Sequence, residues 1–433
     1  MIVSAFALAI LVGTALLLLP VATVSPGSAS FTTALFTSTS AICVTGLVVV
    51  DTPTYWTQYG QVVIMGLIQA GGLGIMTLAS ILALLVARRL GLRRRLVAQA
   101  ERAAPELSDL RRLLLSVVLL SFAFEAVAAV VLTLRFWLSY DYAFGSAVYR
   151  GVFHAVSAFN NAGFALYGDS LVRFVADGWI VLTVALTLIA GGLGFPVWLE
   201  LRRRFRMPRA WTLHTKLTLT GTGVLIVFGF VAVLVLEWSN AGTLGPLDPG
   251  GKLLAAFFQG VTPRTAGFNT VDYGSVEPET LLVTDMLMFV GGGSASTAGG
   301  IKVTTLALLF LMVFSEIRGE ENVNAFGRRV PPHAQRQALV VAFIALNAVV
   351  LCTLALMADS RFGFQESLFE ALSAFGTVGL STGITPDLNE VGRLLLIVLM
   401  FLGRTGPYTL AVALALRESR KLYRFPEERP LIG

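Results

Sequence analysis

Charge is what this chain has least of. Only 13% of its 433 residues are Asp, Glu, Lys or Arg, about half the share found in ordinary soluble domains. With 55% hydrophobic residues as well, that excludes a soluble globular protein and a disordered one. Cysteine is equally scarce: Cys43 and Cys352 lie far apart in apolar surroundings, which gives no disulfide framework and no metal-site spacing. Of the three histidines, His154, His214 and His333, none belongs to a His-Glu-x-x-His pair or a nucleophile constellation. No phosphate-binding Gly-x-x-x-x-Gly-Lys-Ser/Thr run occurs, because Gly299-Gly300-Ile301-Lys302-Val303 has the wrong spacing and no hydroxyl. These absences speak against an enzyme, against a covalent cofactor and against ATP hydrolysis by this chain. The net charge of +6 does not point to nucleic acid, because of where the charge sits.

What the chain does have is apolar length, with a mean hydropathy of +0.77. A spanning helix needs about 20 apolar residues, and eight stretches supply them: 2–21, 61–87, 113–138, 178–201, 213–237, 281–314, 338–357 and 394–416. The first has no basic leader and no small-residue cleavage site, so it reads as a retained helix. Shorter semi-apolar stretches at 30–42, 147–160, 253–262 and 365–376 cannot cross. Of the 32 Lys and Arg residues, 23 fall in the linkers 88–112, 202–216 and 318–336 and in the tail 417–429. The positive-inside rule makes these segments, and both termini, cytoplasmic. Arg93-Arg94-Arg95 and Arg202-Arg203-Arg204 are first of all topology signals; docking to an acidic partner or anionic lipid is compatible with that.

A fourfold repeat organises the whole. Phe36, Phe153, Phe257 and Phe369 each stand ten residues before a glycine, and those glycines, Gly46, Gly163, Gly267 and Gly379, are each followed by Leu or Phe. A second glycine recurs at Gly71, Gly191, Gly291 and Gly403, 25, 28, 24 and 24 residues further on. The expected fold is an all-α integral membrane protein of four tandem helix–pore-loop–helix repeats with pseudo-fourfold symmetry around a central pore. Repeat 1 takes residues 1–89, a basic linker 90–112, repeat 2 113–204, repeat 3 205–318, a linker 319–336, repeat 4 337–422 and a tail 423–433.

Non-helical backbone at membrane depth is tolerated only inside protein or beside water. Four glycine turns converging on one axis meet that condition, and their carbonyls can replace the hydration shell of a monovalent cation. The expected filter residues are Val44, Thr45 and Gly46; Asn161, Ala162 and Gly163; Thr265, Ala266 and Gly267; and Thr377, Val378 and Gly379. The fourth turn approximates the Thr-Val-Gly-Tyr-Gly loop of potassium channels.

Two features break the apolar pattern. Arg404 sits within the last spanning stretch, where repeats 1 and 2 have Gly72 and Gly192. A charge there is a functional-site hypothesis, read as an electrostatic brake in the pore just inward of the filter; pairing with Glu125 or Asp285, or snorkelling to the cytoplasmic edge, is the plainer alternative. The other is the run Gly291, Gly292, Gly293, Ser294, Ala295, Ser296, Thr297, Ala298, Gly299 and Gly300, followed by Lys302. It divides 281–314 into two pieces and reads as an unwound loop flanking the pore, a gate.

These motifs resemble the Ktr/Trk/HKT superfamily of potassium transporters, most closely the membrane subunits of bacterial Ktr systems. The resemblance lies in Cys43 through Asp51, Gln69 through Gly74, Gly300-Ile301-Lys302-Val303, Gly403-Arg404-Thr405-Gly406-Pro407 and Pro426-Glu427-Glu428-Arg429. It implies K⁺ transport in a bacterial cytoplasmic membrane, a homodimer with one pore per subunit, and docking on an octameric cytoplasmic ring. That ring, not this chain, would bind ATP or ADP, and Na⁺ would act as an activator. In this superfamily a glycine at the position of Gly46 goes with K⁺ selectivity, whereas some Na⁺-admitting plant relatives carry Ser. The chain is expected to have little or no N-terminal extension and to lack the extra helix pair of Trk-type relatives. Sodium or mixed transport by the same fold is the alternative.

Overall fold

The computed structural model of the chain describes residues 2–95, 107–359 and 361–416. Linker residues 96–106 and the tail from 417, with its Pro426–Arg429 motif, lie outside the described residues. The apolar runs become helices, several of them started by a side-chain cap or a proline. They are α1 (Ile2–Leu17), α2 (Phe31–Ile42), α3 (Thr52–Tyr55), α4 (Gln58–Arg95), α5 (Leu107–Ser139), α6 (Phe144–Phe159) and α7 (Gly178–Leu193). Then follow α8 (Phe195–Arg204), α9 (Leu213–Glu237), α10 (Pro249–Val261), α11 (Pro278–Met288) and α12 (Val303–Ile317). A hairpin of β1 (Asn324–Ala325) and β2 (Arg328–Arg329) leads to α13 (Pro332–Asp359), α14 (Phe364–Gly376) and α15 (Glu390–Leu416). Ser30, Asp177, Thr212 and Asp248 cap α2, α7, α9 and α10, each accepting a backbone N–H of the first turn.

Segments 58–77, 114–139, 213–237 and 332–358 are long and apolar enough to cross a membrane, while α1 and α12 are shorter apolar helices. Large apolar side chains on the outer faces stay exposed, among them Leu119, Val127, Val224, Val235, Phe343 and Leu351, as expected of surfaces that meet hydrocarbon. The chain is a mostly helical integral membrane protein.

The four short helices lie inside. Helix α2 packs on α1 and α4, α6 between α5 and α7, α10 on α9 and α7, and α14 between α13 and α15. Successive groups touch through α4 and α5, α7 and α9, and α12 and α13, and the last helix returns to the first group through α15 against α1 and α2.

One expected span is corrected. Residues 178–201 do not form a single helix: α7 and α8 meet at 95°. The break falls at Gly194, whose φ is +89°, with Pro196 in the first turn of α8. A side chain at 194 would also be placed 2.6 Å from the Ser294 carbonyl oxygen. Gly194 thus supplies both the left-handed backbone and the close approach, and Pro196 stops α7 from continuing. The break expected within 281–314 is present: α11 ends at Met288, α12 starts at Val303, and the segment between is not helical.

Candidate functional site

Each of the four inner helices ends in a turn of the same build. Two residues before each repeat glycine, Val44, Asn161, Thr265 and Thr377 have φ of 56°, 58°, 68° and 51°. The glycines themselves have φ of +92°, +71°, +74° and +93°. Left-handed residues on either side of an ordinary one keep successive carbonyls from alternating as they would in a strand. The turns abut one another in sequence order. A Cβ on Gly46 would lie 2.4 Å from the Ala162 oxygen, and one on Gly163 2.8 Å from the Gly267 Cα. A Cβ on Gly267 would lie 2.4 Å from the Val378 oxygen, and one on Gly379 would press on the Thr45 oxygen and stand 3.0 Å from the Gly46 Cα. The four turns that carry the twelve residues expected at the filter are therefore brought together, and the chain of contacts closes from the fourth turn onto the first.

Serines that the repeat pattern did not single out fasten these turns. Ser40 accepts from the Gly46 amide at 3.1 Å and Ser373 from the Gly379 amide at 3.0 Å, while Ser157 donates to the Phe164 carbonyl at 2.7 Å. All three stand six residues before the glycine, a spacing visible in the sequence. The third turn uses Thr262 instead, which donates to the Phe268 carbonyl. The hydroxyls of Thr45, Thr265 and Thr377 are buried without a hydrogen-bond partner in the protein.

The second set of glycines lets spanning helices touch the ends of the short ones. A Cβ on Gly71, Gly191 or Gly403 would collide with the carbonyl oxygen of Ile42, Phe159 or Phe375, at 2.0, 1.9 and 1.9 Å. Gly291 departs from this pattern: its obstacle is the Gly299 carbonyl of the loop it opens.

That loop lies against the turns. Thr297 Oγ1 meets the Asn161 side-chain amide at 2.9 Å, a Cβ on Gly299 would collide with Thr377 Oγ1, and one on Gly291 would sit 3.3 Å from Thr265 Cγ2. The loop is held from the other side by the α7–α8 junction. Gly293 N donates to the Gly192 carbonyl at 2.8 Å, Thr297 N to that of Gly191 at 3.3 Å, and Phe195 N to that of Ala295 at 3.2 Å. Within the loop Ser296 Oγ donates to the Gly293 carbonyl, and Ser294 contacts Thr304. Gly291 N and Val303 N close its neck on the carbonyls of Ile301 and Gly292.

Two buried cations address its carbonyls. Arg404, 1% exposed, donates through Nη1 to the Thr297 oxygen and through Nη2 to that of Gly71 at 3.2 Å. Lys302 Nζ donates to the Ala298 oxygen and, at 3.3 Å, to that of Gly299. Pairing of Arg404 with Glu125 or Asp285 is not what the structure shows. Glu125 instead accepts from Gln69 at 3.0 Å and from Asn160 at 3.2 Å, directly behind the second turn.

A family model described as TrkH, cation transport protein, matches residues 1–424. The chain is 42% identical over 428 residues to Ktr system potassium uptake protein B of Bacillus subtilis, covering 99% of this chain and 95% of that protein. It is 40% identical over 422 residues to the protein of the same name from Vibrio alginolyticus, covering 96% and 91%. To the potassium/sodium uptake protein NtpJ of Enterococcus hirae it is 37% identical over 439 residues, covering 100% and 96%. The crystal structure of the potassium transporter TrkH from Vibrio parahaemolyticus matches with a TM-score of 0.71 at 21% identity, over 95% of this chain and 83% of that one, a likeness of fold. With a family match of this extent and relatives of this identity, the chain belongs to the TrkH family of cation transport proteins.

Proposed function

We propose that the chain carries K⁺ across a bacterial cytoplasmic membrane through the ring of glycine turns. The observation that carries this reading is the closed contact of Gly46, Gly163, Gly267 and Gly379, each against the next turn. Their carbonyls would take over the hydration shell of one alkali cation at a shared axis. The buried, unpartnered hydroxyls of Thr45, Thr265 and Thr377 fit the same role, since a buried hydroxyl without a partner is costly unless something polar meets it. The cyclic packing of the helices supports four repeats, with boundaries near 89, 113, 205, 319 and 337, in pseudo-fourfold order.

The loop 291–300 then acts as the gate below the filter, and Arg404 and Lys302 hold it in place through its carbonyls. Arg404 in this reading is both a fixed positive charge on the ion path and a latch. The Arg-rich segments and both termini face the cytoplasm. Two such chains form a homodimer with a pore each, docked on a separate ring that binds ATP or ADP; this chain itself is no enzyme. Sodium is the second reading, favoured by the likeness to a relative named for both ions. Gly46, with glycine at all four turns, tips the choice to K⁺.

Uptake of ⁸⁶Rb⁺ into liposomes holding the full-length protein tests this, with K⁺ and Na⁺ as competitors. Competition by K⁺ and not by Na⁺ is expected. Equal competition would replace the K⁺ reading by the mixed one, and absence of flux from a folded protein would remove the pore.

A further inference from the structure

Helix α8 leaves α7 at 95°, so the segment after the break runs across the direction of the spanning helix. Its surface has two characters. Arg202, Arg203, Arg204, Arg206 and Arg209 are all exposed, and between them Phe205 and Met207 are 72% and 64% exposed. Between residues 202 and 216 there are six basic residues and no acid. The neighbouring carboxylate, Glu200, is engaged elsewhere: it accepts from the Thr212 amide at 2.9 Å, from the Thr212 hydroxyl at 2.7 Å and from the Thr215 hydroxyl. Among the described residues none of the five arginines comes within ion-pair distance of an acid.

This surface is constructed. Trp211 Nε1 donates to the Arg204 carbonyl at 2.9 Å, Arg204 Nη1 to that of Ala210 at 3.2 Å, and Lys216 Nζ to that of Arg209 at 3.2 Å. Trp198 Nε1 anchors the helix on the Ala190 carbonyl at 2.8 Å. Two tryptophans, two projecting apolar side chains and a cluster of cations are the composition of a segment lying in a membrane interface.

We propose that segment 195–211 is a binding surface for anionic phospholipid. The arginines pair with headgroup phosphates, whose geometry the guanidinium fork matches. Phe205 and Met207 enter the boundary between headgroups and acyl chains. A topology signal needs only the charge, and an acidic protein would leave Phe205 and Met207 in water; a bilayer surface uses both. The inference needs α7 and α9 to span the membrane but does not depend on which ion the protein carries, so it stands or falls apart from the transport reading.

The test is tryptophan quenching in liposomes of phosphatidylcholine holding the full-length protein, doped with a small fraction of brominated phosphatidylglycerol or of brominated phosphatidylcholine. The contribution of Trp211 is the difference between the wild type and Trp211→Phe. It should be quenched severalfold more strongly by the anionic lipid, and the preference should shrink as salt is raised. Replacing the five arginines by lysine, which keeps the topology signal, should preserve a weakened preference. Phe205→Ser with Met207→Ser should reduce quenching by both lipids. Equal quenching of the wild type by the two lipids, or quenching untouched by the Phe205 and Met207 changes, would overturn the proposal.

Discussion

Gly46 carries two constraints at once, a φ of +92° and a neighbouring carbonyl 2.4 Å from where a Cβ would be. Left-handed backbone costs a non-glycine residue roughly 1–2 kcal/mol, and the collision adds to that. Gly46→Ser should therefore widen the ring, and Na⁺ should compete with ⁸⁶Rb⁺ uptake as well as K⁺ does; retained discrimination would separate selectivity from this residue. Arg404 holds the Thr297 and Gly71 carbonyls. Losing one hydrogen bond to a charged group is worth roughly 1.5–3 kcal/mol, so Arg404→Gln should raise ⁸⁶Rb⁺ flux by about ten- to a hundredfold, and unchanged flux in a folded variant would count against a latch. The glycines were legible because no other residue tolerates both the backbone and the contact. The partners of Arg404 were not, because a carbonyl acceptor leaves no trace in a side-chain sequence. Ser40, Ser157 and Ser373 fall between: their spacing was visible, but serine in a helix carries no signal of what it bonds.

Among elements, the loop between α11 and α12 was readable because glycine and serine interrupt an apolar run for longer than a turn. The break between α7 and α8 was not, because hydropathy continues across it and only Gly194 and Pro196 mark the bend. Deleting residues 292–298 should leave a folded protein with constitutive flux, measured against the intact chain in the same liposomes; a folded but silent deletion would make the segment scaffold. The cap of α7 gives a pH prediction. Burial pushes the Asp177 carboxyl up, but hydrogen bonds from Arg135, Tyr140 and the Ile180 amide outweigh it and hold the group below its usual value. A lowered folded pKa means the stabilisation is complete above the unfolded value, about 3.9, and is lost as pH falls through the folded one. Asp177→Asn keeps a capping side chain but removes the charge that the partly exposed Arg135 meets, so it should lower thermal stability at neutral pH by up to about 1 kcal/mol, and the gap to wild type should close in acid.

At the scale of the molecule, composition alone excluded a soluble protein, and matched spacings suggested how the chain divides; which helix touches which was beyond them, since lipid-facing and buried apolar side chains look alike in sequence. If nucleotide control belongs to a separate partner, the purified chain should show no ATP or ADP binding by calorimetry, and measurable binding would place the regulation here. The contacts among the glycine turns close within a single polypeptide. In a channel assembled from identical subunits every mutation strikes four times, so an inlet cannot change without its copies. Here each quarter is encoded separately, and the residues three places before the glycines differ: Cys43, Asn160, Arg264 and Gly376. If these turns form the ion path proposed above, one side of the ring can be retuned while the other three hold the passage to its size.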